Sequence, residues 1–373
     1  MTVSFRPWLV LALLLCACPT PHRVRPESRA TRSNIGLPGP DAKPPARMRM
    51  HVIDIGQGAA TLFEFPCAAV LVDTGGESTS DFDSLKALKN YLEAFFARRP
   101  DLNRTFAAVF ITHPHIDHTR GLPLVMKDFT VQHLITNGQP RGIDGLVFES
   151  GGEPQENAEL EMKKRGALRT IARSEVENGK GLTDAQIDPV QCGEVDPQIQ
   201  VFWGGLKQNT EGWEPKVFTN ANNHSLVIRI DVGGHPVLIT GDLEVEAIHA
   251  LLAAHGTALN SDVFLVGHHG SHNGTTMGLM KTLTPCMAVV SMGPSTREED
   301  WTAWAYGHPR KVAVQTVAAG LGCSRPPRDV QVALGQRRFE GLTLNSALYG
   351  TGWEGTVVIE ENEHGAWKAF TER

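Results

Sequence analysis

The feature that most constrains the fold is a histidine-rich segment that directly follows a run of apolar residues. Residues 106–112 (FAAVFIT) form a continuous apolar run, which is typical of a strand buried on both faces of a sheet. His113, His115, Asp117 and His118 follow it at once. Because ligands in α/β sheets bind outside the carboxyl ends of the strands, this arrangement predicts a ligand site at the end of that strand.

The side chains of this segment are suited to metal ions. His113 and His115 are two residues apart, so their imidazoles point the same way in an extended chain and can bind one ion. Asp117 and His118 lie in the following turn and can offer ligands to a second ion. Imidazole and carboxylate ligands suit zinc, although manganese or iron is compatible with the same donors. We therefore predict two zinc ions at this position.

The rest of the chain alternates between strand and helix patterns, which predicts an α/β fold. Leu85, Leu88, Leu92 and Phe95 are spaced as on one face of a helix over about 82–98. Further helices are predicted at about 156–174 and at 310–320, where Pro309 would occupy the first helical position. The strands predicted before the histidine-rich segment are 50–55, 59–65, 69–73 and 106–112.

The spacing His113-x-His115-x-Asp117-His118 resembles the signature of the metallo-β-lactamase superfamily. The resemblance implies an αββα sandwich with one or two zinc ions at one edge of the sheets. Six motifs occur in order: MHVIDIGQGAATLF, THPHIDHTRGL, NNHSLVIRI, LITGDLE, VGHHGSHNGT and YGHP. This series is similar to the metallo-β-lactamase domain of ComEC-like competence proteins over most of 49–360. Because their transmembrane channel is absent, the similarity implies the fold and the metal site but not DNA transport.

The resemblance also implies the remaining metal ligands. Asp242, in the GD of 236–244, stands where the superfamily has an aspartate that bridges two metals. The motif VGHHGSHN should supply another ligand. We favour His268 because it is closest to the strand end, and His269 and His272 are then expected to support a ligand or to contact substrate.

The third ligand of the first metal has two candidates. His224, in the polar loop that enters the strand of NNHSLVIRI, is the better match. His133 competes with it but lies within an apolar, strand-like run at 129–135.

Three further residues near the motifs have two interpretations each. Asp54 and Asp73 either orient a ligand histidine through a hydrogen bond or only stabilise a turn. His308 of YGHP is expected to contact substrate or to transfer a proton, and Asp117 could accept a proton.

The predicted activity is hydrolysis by a metal-bound hydroxide, with a phosphodiester as the favoured substrate. Hydrolysis of a β-lactam or another ester or amide is the alternative within the same fold. Superfamily members with a di-iron redox centre carry a flavin domain, which this sequence does not show. The non-enzymatic alternative is a lipid-tethered module that retains a metal site.

The N-terminal residues predict export and anchoring. Arg6 precedes an apolar stretch, Trp8 to Leu15, that is too short to span a membrane and is typical of a signal peptide. The segment 15–18 (LCAC) resembles a bacterial lipobox, which implies cleavage before Cys18 and lipidation of its sulfur. Pro19 after this cysteine favours the outer membrane, facing the periplasm, by the same resemblance.

A linker and one large domain are predicted after residues 1–18. Residues 19–48 are rich in proline and arginine, which predicts an extended, poorly packed linker. Residues 49–373 then form the hydrolase domain, with an insertion at about 138–216 that is expected to shape the substrate entrance. The sequence leaves the oligomeric state open.

The charge distribution limits the partners. The formal net charge is −6, and residues 1–49 carry an excess of six positive charges, so residues 50–373 carry −12. An acidic domain argues against a stable complex with nucleic acid, because phosphate contacts need a basic surface. We therefore expect a small-molecule, nucleotide or other phosphodiester substrate, and contact with the membrane only through the N-terminal lipid.

Four cysteines remain once Cys16 is removed with the signal and Cys18 carries lipid. Cys67, Cys192, Cys286 and Cys323 can form disulfides in an oxidising compartment, and three pairings are open. Since none has CxxC spacing, a thiolate metal site is not expected.

Overall fold

The structure is a computed structural model, and it describes residues 43–45, 47–142, 151–176, 179–193, 195–362 and 365–373. The predicted signal peptide and nearly all of the predicted linker lie outside these residues. The first strand includes Met48, one residue before the predicted start of the domain.

The strands alternate with helices along the chain, as the sequence pattern predicts. In chain order the strands are β1 (Met48–Val52), β2 (Thr61–Glu64), β3 (Ala69–Val72), β4 (Thr105–Ile111), β5 (Thr130–Thr136), β6 (Leu168–Thr170), β7 (Gln198–Trp203), β8 (Val227–Val232), β9 (His235–Ile239), β10 (Val263–Leu265), β11 (Met287–Val290), β12 (Ser324–Gly335), β13 (Arg338–Ser346), β14 (Leu348–Gly350), β15 (Val357–Glu361) and β16 (Trp367–Thr371).

The helices are shorter and more numerous than the sequence pattern indicates. They are α1 (Ser84–Arg98), α2 (Ile116–Thr119), α3 (Leu122–Asp128), α4 (Gly152–Lys164), α5 (Pro215–Phe218), α6 (Val245–His255), α7 (Met277–Leu283), α8 (Ala303–Tyr306), α9 (Lys311–Gly320) and α10 (Thr351–Glu354).

The strands form two large sheets and a hairpin. The first sheet has the order β16-β15-β1-β2-β3-β4-β5-β6, and the second has the order β14-β11-β10-β9-β8-β7. Strands β3 to β6 run parallel, as do β9, β10, β11 and β14, whereas β12 and β13 pair only with each other. The parallel strands bring several carboxyl ends to one edge of each sheet.

The two sheets pack face to face and carry helices on their outer faces. Alternate residues of β1 (Met48, Met50 and Val52) and of β8 (Ile228 and Ile230) enter the core between the sheets, as the two-residue period of a strand requires. Apolar residues of α1, α3 and α4 pack on the first sheet, and those of α6, α7 and α9 pack on the second. This arrangement confirms the predicted αββα sandwich.

The segment 138–216 is more than an insertion, because it contributes β6 to the first sheet and β7 to the second. The helix predicted at 156–174 is wrong at both ends. It starts four residues earlier, at Gly152, and ends at Lys164. Gly166 follows with φ +68°, a conformation that breaks a right-handed helix, and β6 begins at Leu168.

Two disulfides join distant parts of the chain. Cys67, in the turn between β2 and β3, pairs with Cys192, which precedes β7 of the other sheet. Cys286 pairs with Cys323, and these residues precede β11 and β12. Within the described ranges, no helix is long and apolar enough to cross a membrane.

Candidate metal centre

Strand ends from both sheets meet at the predicted site. The histidine-rich segment follows β4 of the first sheet, and Asp242 follows β9 of the second sheet. His269 lies in a 3₁₀ turn, Gly267–Gly270, that follows β10. Because β9 and β10 are adjacent and parallel, their ends present Asp242 and His269 side by side.

Two glycines let the loop that carries Asp117 pack closely against the first sheet. A Cβ added at Gly75 would lie 1.5 Å from the carbonyl oxygen of Asp117, and one at Gly58 would lie 2.5 Å from it. The same carbonyl accepts a hydrogen bond from the Ala59 amide at 2.9 Å. Gly58, from the motif MHVIDIGQGAATLF, and Gly75 therefore leave room for the backbone of a predicted metal ligand.

Four side chains converge on one point. Nε2 of His269 lies 3.2 Å from Oδ2 of Asp117 and 3.4 Å from Oδ2 of Asp242. Nε2 of His118 lies 3.4 Å from Oδ1 of Asp242 and 3.3 Å from Nε2 of His269. One potential ligand atom from each of the four lies within 4.8 Å of the others. We call these four residues the metal cluster.

The first two histidines lie next to this cluster. Nε2 of His113 is 3.1 Å from Nδ1 of His115, and the ring centroids of His113 and His118 are 4.2 Å apart. Burial lowers the pKa of both His113 and His115, and the carboxylate of Asp242 acts against it. The histidine-rich segment thus brings two adjacent groups of donors near Asp242.

Hydrogen bonds on the far side of each ring fix which nitrogen faces the cluster. Nδ1 of His118 donates to Oδ2 of Asp73 at 2.8 Å, and Nδ1 of His269 donates to the carbonyl of Ser291 at 2.9 Å. Each ring therefore turns its Nε2 inward, and this is the nitrogen that would bind a metal after losing its proton. Asp73 itself accepts from the amide and hydroxyl of Thr112, at 2.8 and 2.9 Å.

Each of the two interpretations thus applies to one of the two residues, Asp54 and Asp73. Asp73 orients a predicted ligand. Asp54 instead accepts from the Gly56 amide at 3.3 Å and pairs with Arg373 at 2.9 Å, so it stabilises a turn and the chain end.

The electrostatics of the cluster favour a cation. Burial acts to lower the pKa of His269, but the carboxylates of Asp242 and Asp117 outweigh it and raise this pKa to about 10. The pKa of His118 is likewise raised above its usual range, against burial, by Asp242 and Asp73. Burial acts to raise the pKa values of Asp117 and Asp242, yet the facing histidines hold both below the usual range. The carboxylates thus stabilise positive charge between them.

His269, rather than His268, contributes to the metal cluster. Both residues have left-handed backbone conformations, with φ of 49° and 52°, so the chain reverses direction within the turn. The reversal brings His269 to the carboxylates, whereas Nε2 of His268 stays 3.9 Å from Oδ2 of Asp242. The strand-end argument that favoured His268 assumed an extended chain, and His272 is exposed.

The two candidates for the third ligand of the first metal lie elsewhere. The Leu206 amide donates to Nδ1 of His224 at 3.0 Å, and Nε2 of His224 donates to the carbonyl of Phe218 at 2.7 Å. Since both ring nitrogens bond to the backbone, we leave His224 out of the proposed ligand set. His133 is in the middle of β5, and the charge that acts on its pKa is Asp184, outside the metal cluster.

His308 lies against the metal cluster and is held by the opening motif. Its ring stacks on His269 with centroids 6.3 Å apart and an interplanar angle of 28°. Nε2 of Gln57 donates to Nδ1 of His308 at 3.1 Å. Burial lowers the pKa of His308 well below its usual range, so the ring is neutral. Pro309 does not start the helix as predicted, because α9 begins two residues later at Lys311.

Comparisons with known proteins agree with this geometry. The family described as Metallo-beta-lactamase superfamily matches residues 53–285. The chain is 28% identical over 279 residues to "ComE operon protein 3" of Bacillus subtilis (strain 168), which covers 71% of this chain and 30% of that protein. It is 25% identical over 265 residues to "Recombination protein 2" of Haemophilus influenzae, with coverage of 70% and 25%. The chain thus spans less than a third of the length of these relatives.

Among solved structures, the chain is similar to the metallo-beta-lactamase fold protein YhfI from Bacillus subtilis. The TM-score is 0.39 at 13% identity, and the match covers 74% of this chain and 95% of that one.

Proposed function

Because the chain belongs to the metallo-β-lactamase superfamily and is similar to ComEC-like competence proteins, we propose that it is a metal-dependent hydrolase of phosphodiesters. The observation that carries the proposal is the convergence of Asp117, His118, Asp242 and His269, with both Nε2 atoms facing two carboxylates. The similarity to the ComEC-like domain favours a phosphodiester over a β-lactam.

The residues present fit a divalent cation. The Asp117 and Asp242 carboxylates pair only with histidines among the described residues, so they would hold an ion with His118 and His269, while His113 and His115 would hold a second. Bound zinc would lower the pKa of a water and offset negative charge at phosphorus. Asp117, whose side chain is 29% exposed, is the carboxylate placed to accept a proton from that water.

His308 is the residue that we expect to donate a hydrogen bond to the leaving oxygen. Gln57 donates to Nδ1, so the neutral ring carries its proton on Nε2. We expect His308→Ala to lower kcat about 100-fold, which is typical of one lost hydrogen bond to a developing negative charge, without changing the zinc content. An equal loss of zinc would instead make His308 a residue that holds the metal site together.

The first experiment measures metal content and turnover together. The full chain is purified in mild detergent, because residues 8–15 are apolar, and its zinc is counted beside hydrolysis of bis-p-nitrophenyl phosphate and a chromogenic β-lactam. We expect two zinc ions per chain and phosphodiester turnover that falls about 100-fold or more in Asp242→Ala. Asp329→Asn is the matched control, since Asp329 is on the β12–β13 hairpin, away from the metal cluster, and accepts a hydrogen bond from Thr343.

Each other result has a defined meaning. Turnover of the β-lactam alone would replace the phosphodiester as substrate class. Zinc binding with no turnover of either substrate would favour a tethered metal-binding module. Absence of zinc, manganese and iron after reconstitution would refute the proposal.

We also propose that the chain is exported and held in the bacterial envelope by lipid on Cys18. The lipobox-like segment 15–18 and two disulfides, which persist in oxidising compartments, support this placement. In cells fed radiolabelled palmitate, Cys18→Ser should abolish labelling of the chain, whereas the control Cys16→Ser should not. Labelling that survives Cys18→Ser would refute the anchor.

A further inference from the structure

We propose that Trp301 and Tyr306 form a subsite that stacks the nucleobase of a small phosphodiester beside the metal centre. This inference rests on the proposed function, and it adds a substrate class and the side chains that select it.

A continuous series of aromatic rings leads from the metal cluster to the surface. The ring of His308 stacks on His269, and Tyr306 stacks on His308 with centroids 5.7 Å apart and an interplanar angle of 18°. Trp301 meets Tyr306 edge to face, with centroids 6.3 Å apart. Burial and the nearby Asp117 carboxylate raise the pKa of Tyr306 to about 12, so its hydroxyl stays protonated. A ligand that reaches the metal cluster from this side passes over these rings.

Trp301 is held in an exposed position. It is 73% exposed, and it is the one aromatic among the large apolar side chains exposed in the described residues. Its backbone has φ +66°, which is unfavourable for a bulky side chain and persists only where the surrounding structure enforces it. Isolated exposed apolar residues are common, but a tryptophan in this conformation at the end of a ring series indicates a binding role.

The loop that carries Trp301 contacts the segment between β3 and α1. Arg297 pairs with Glu77 and lies over the ring of Phe82, with its guanidinium carbon 4.2 Å from the centroid. Glu299 accepts from the Ser80 amide at 3.1 and 3.2 Å. These contacts hold the loop in place, so the tryptophan is presented on a fixed support.

The charges around Trp301 limit the size of the ligand. Trp301 lies in a surface groove that is also lined by Glu298, Glu299 and Asp300. Asp300 pairs with Arg337 at 2.8 Å. These carboxylates would repel a long polyanion, but a nucleobase is neutral and stacks on any aromatic face. A mononucleotide or dinucleotide ester satisfies both conditions, because its phosphate lies at the metals and its base at Trp301.

Two substrates test the proposal, one with a nucleoside and one without. Both thymidine 5′-(p-nitrophenyl phosphate) and methyl p-nitrophenyl phosphate release p-nitrophenol, but only the first carries a nucleobase. We expect Trp301→Ala to raise KM for the thymidine ester about tenfold, which is within the range of one lost stacking contact, and to leave KM for the methyl ester unchanged. Trp301→Phe should restore most of the binding.

The control is Leu160→Ala, which removes an exposed apolar side chain on α4 and should affect neither substrate. Equal effects of Trp301→Ala on both esters, or no effect on either, would overturn the subsite.

A binding measurement keeps the subsite separate from hydrolysis. Thymidine 5′-monophosphate is titrated into the zinc-loaded chain while the heat of binding is recorded. Binding that is weakened about tenfold by Trp301→Ala and restored by Trp301→Phe supports the subsite even if neither ester is cleaved, and in that case only the proposed hydrolysis fails. Binding that is unaffected by Trp301→Ala overturns it. A single-stranded oligonucleotide that binds more tightly than the monophosphate, with a steep salt dependence, would overturn the restriction to small ligands.

Discussion

The fold contains two buried charge clusters that are built differently. In the first, which we call the Glu64 cluster, the fully buried carboxylate of Glu64 pairs with Arg98 at 2.8 Å, Arg99 at 2.9 Å and Arg49 at 3.4 Å. Nε2 of His51 lies 3.2 Å from the same carboxylate. Although burial acts to raise the pKa of Glu64, these partners hold it far below the usual range.

The metal cluster has the opposite composition. In the part of the chain that the structure describes, no lysine or arginine pairs with Asp73, Asp117 or Asp242, and their partners are histidines. A histidine can lose its proton and become a metal ligand, whereas an arginine cannot. In the Glu64 cluster, permanently charged arginines neutralise the buried carboxylate. In the metal cluster, we expect an exchangeable metal ion to neutralise the carboxylates.

Removal of the central carboxylate should affect the two clusters very differently. We expect Glu64→Gln to lower the free energy of unfolding by about 3–5 kcal/mol, because three arginines lose their buried counter-charge. In zinc-free protein, Asp242→Asn should lower it by only about 1–3 kcal/mol, because the histidines that face Asp242 can lose their protons when their counter-charge is removed, whereas arginines cannot. Urea unfolding at pH 7.5 measures both. Equal losses would show that the protein's own charges also neutralise the carboxylates of the metal cluster.

Zinc should stabilise only a chain whose metal cluster is intact. At a free zinc concentration of 100 times Kd, binding to the native state should add about 2.7 kcal/mol to the free energy of unfolding. Thermal unfolding with zinc and after chelation measures this gain. The gain should vanish in Asp242→Asn and remain in Asp329→Asn, and a gain retained by Asp242→Asn would place the zinc outside the metal cluster.

The fold was predictable because its signals are local and periodic. The two-residue period of β1 and the helical spacing on α1 both reflect which face is buried, and the structure confirms both elements. That Asp117 and His118 lie close to Asp242 follows from the same rule, because strand ends are where α/β sheets bind ligands. The order of the motifs along the chain then indicated which distant segments come together at the site.

The errors arise where the backbone departs from regular geometry. His269 replaces His268 in the metal cluster because two successive left-handed residues reverse the chain, which a count from the strand end does not anticipate. His224 was a natural candidate by residue type, but its partners are backbone groups of Leu206 and Phe218, and these leave no trace in residue identity. The support of His269 by the Ser291 carbonyl was missed for the same reason. Trp301 belongs to none of the recognised motifs, and its exposure is visible only in the structure.

His224 and His269 offer a direct test of the distinction between a structural histidine and a metal ligand. His224→Leu leaves the Leu206 amide and the Phe218 carbonyl unpaired, so we expect a loss of about 1–3 kcal/mol in the free energy of unfolding and an unchanged zinc content. His269→Leu should instead abolish zinc binding, because it removes one of the four side chains of the metal cluster. Loss of zinc in His224→Leu without unfolding would return His224 to the ligand set.

The same histidine gives the smallest expected effect, which depends on pH. Burial lowers the pKa of His224 to about 4 in the folded chain, against its hydrogen bond to Phe218, while the unfolded chain has the ordinary value near 6.5. Its neutral form therefore contributes fully above pH 6.5, and this contribution is lost as pH falls towards 4, because the unfolded state binds the proton first. At pH 5 the stability gap between wild type and His224→Leu should be about 2 kcal/mol smaller than at pH 8. Urea unfolding of both proteins at the two pH values measures the gap, and a constant gap would mean that His224 is not held neutral by burial.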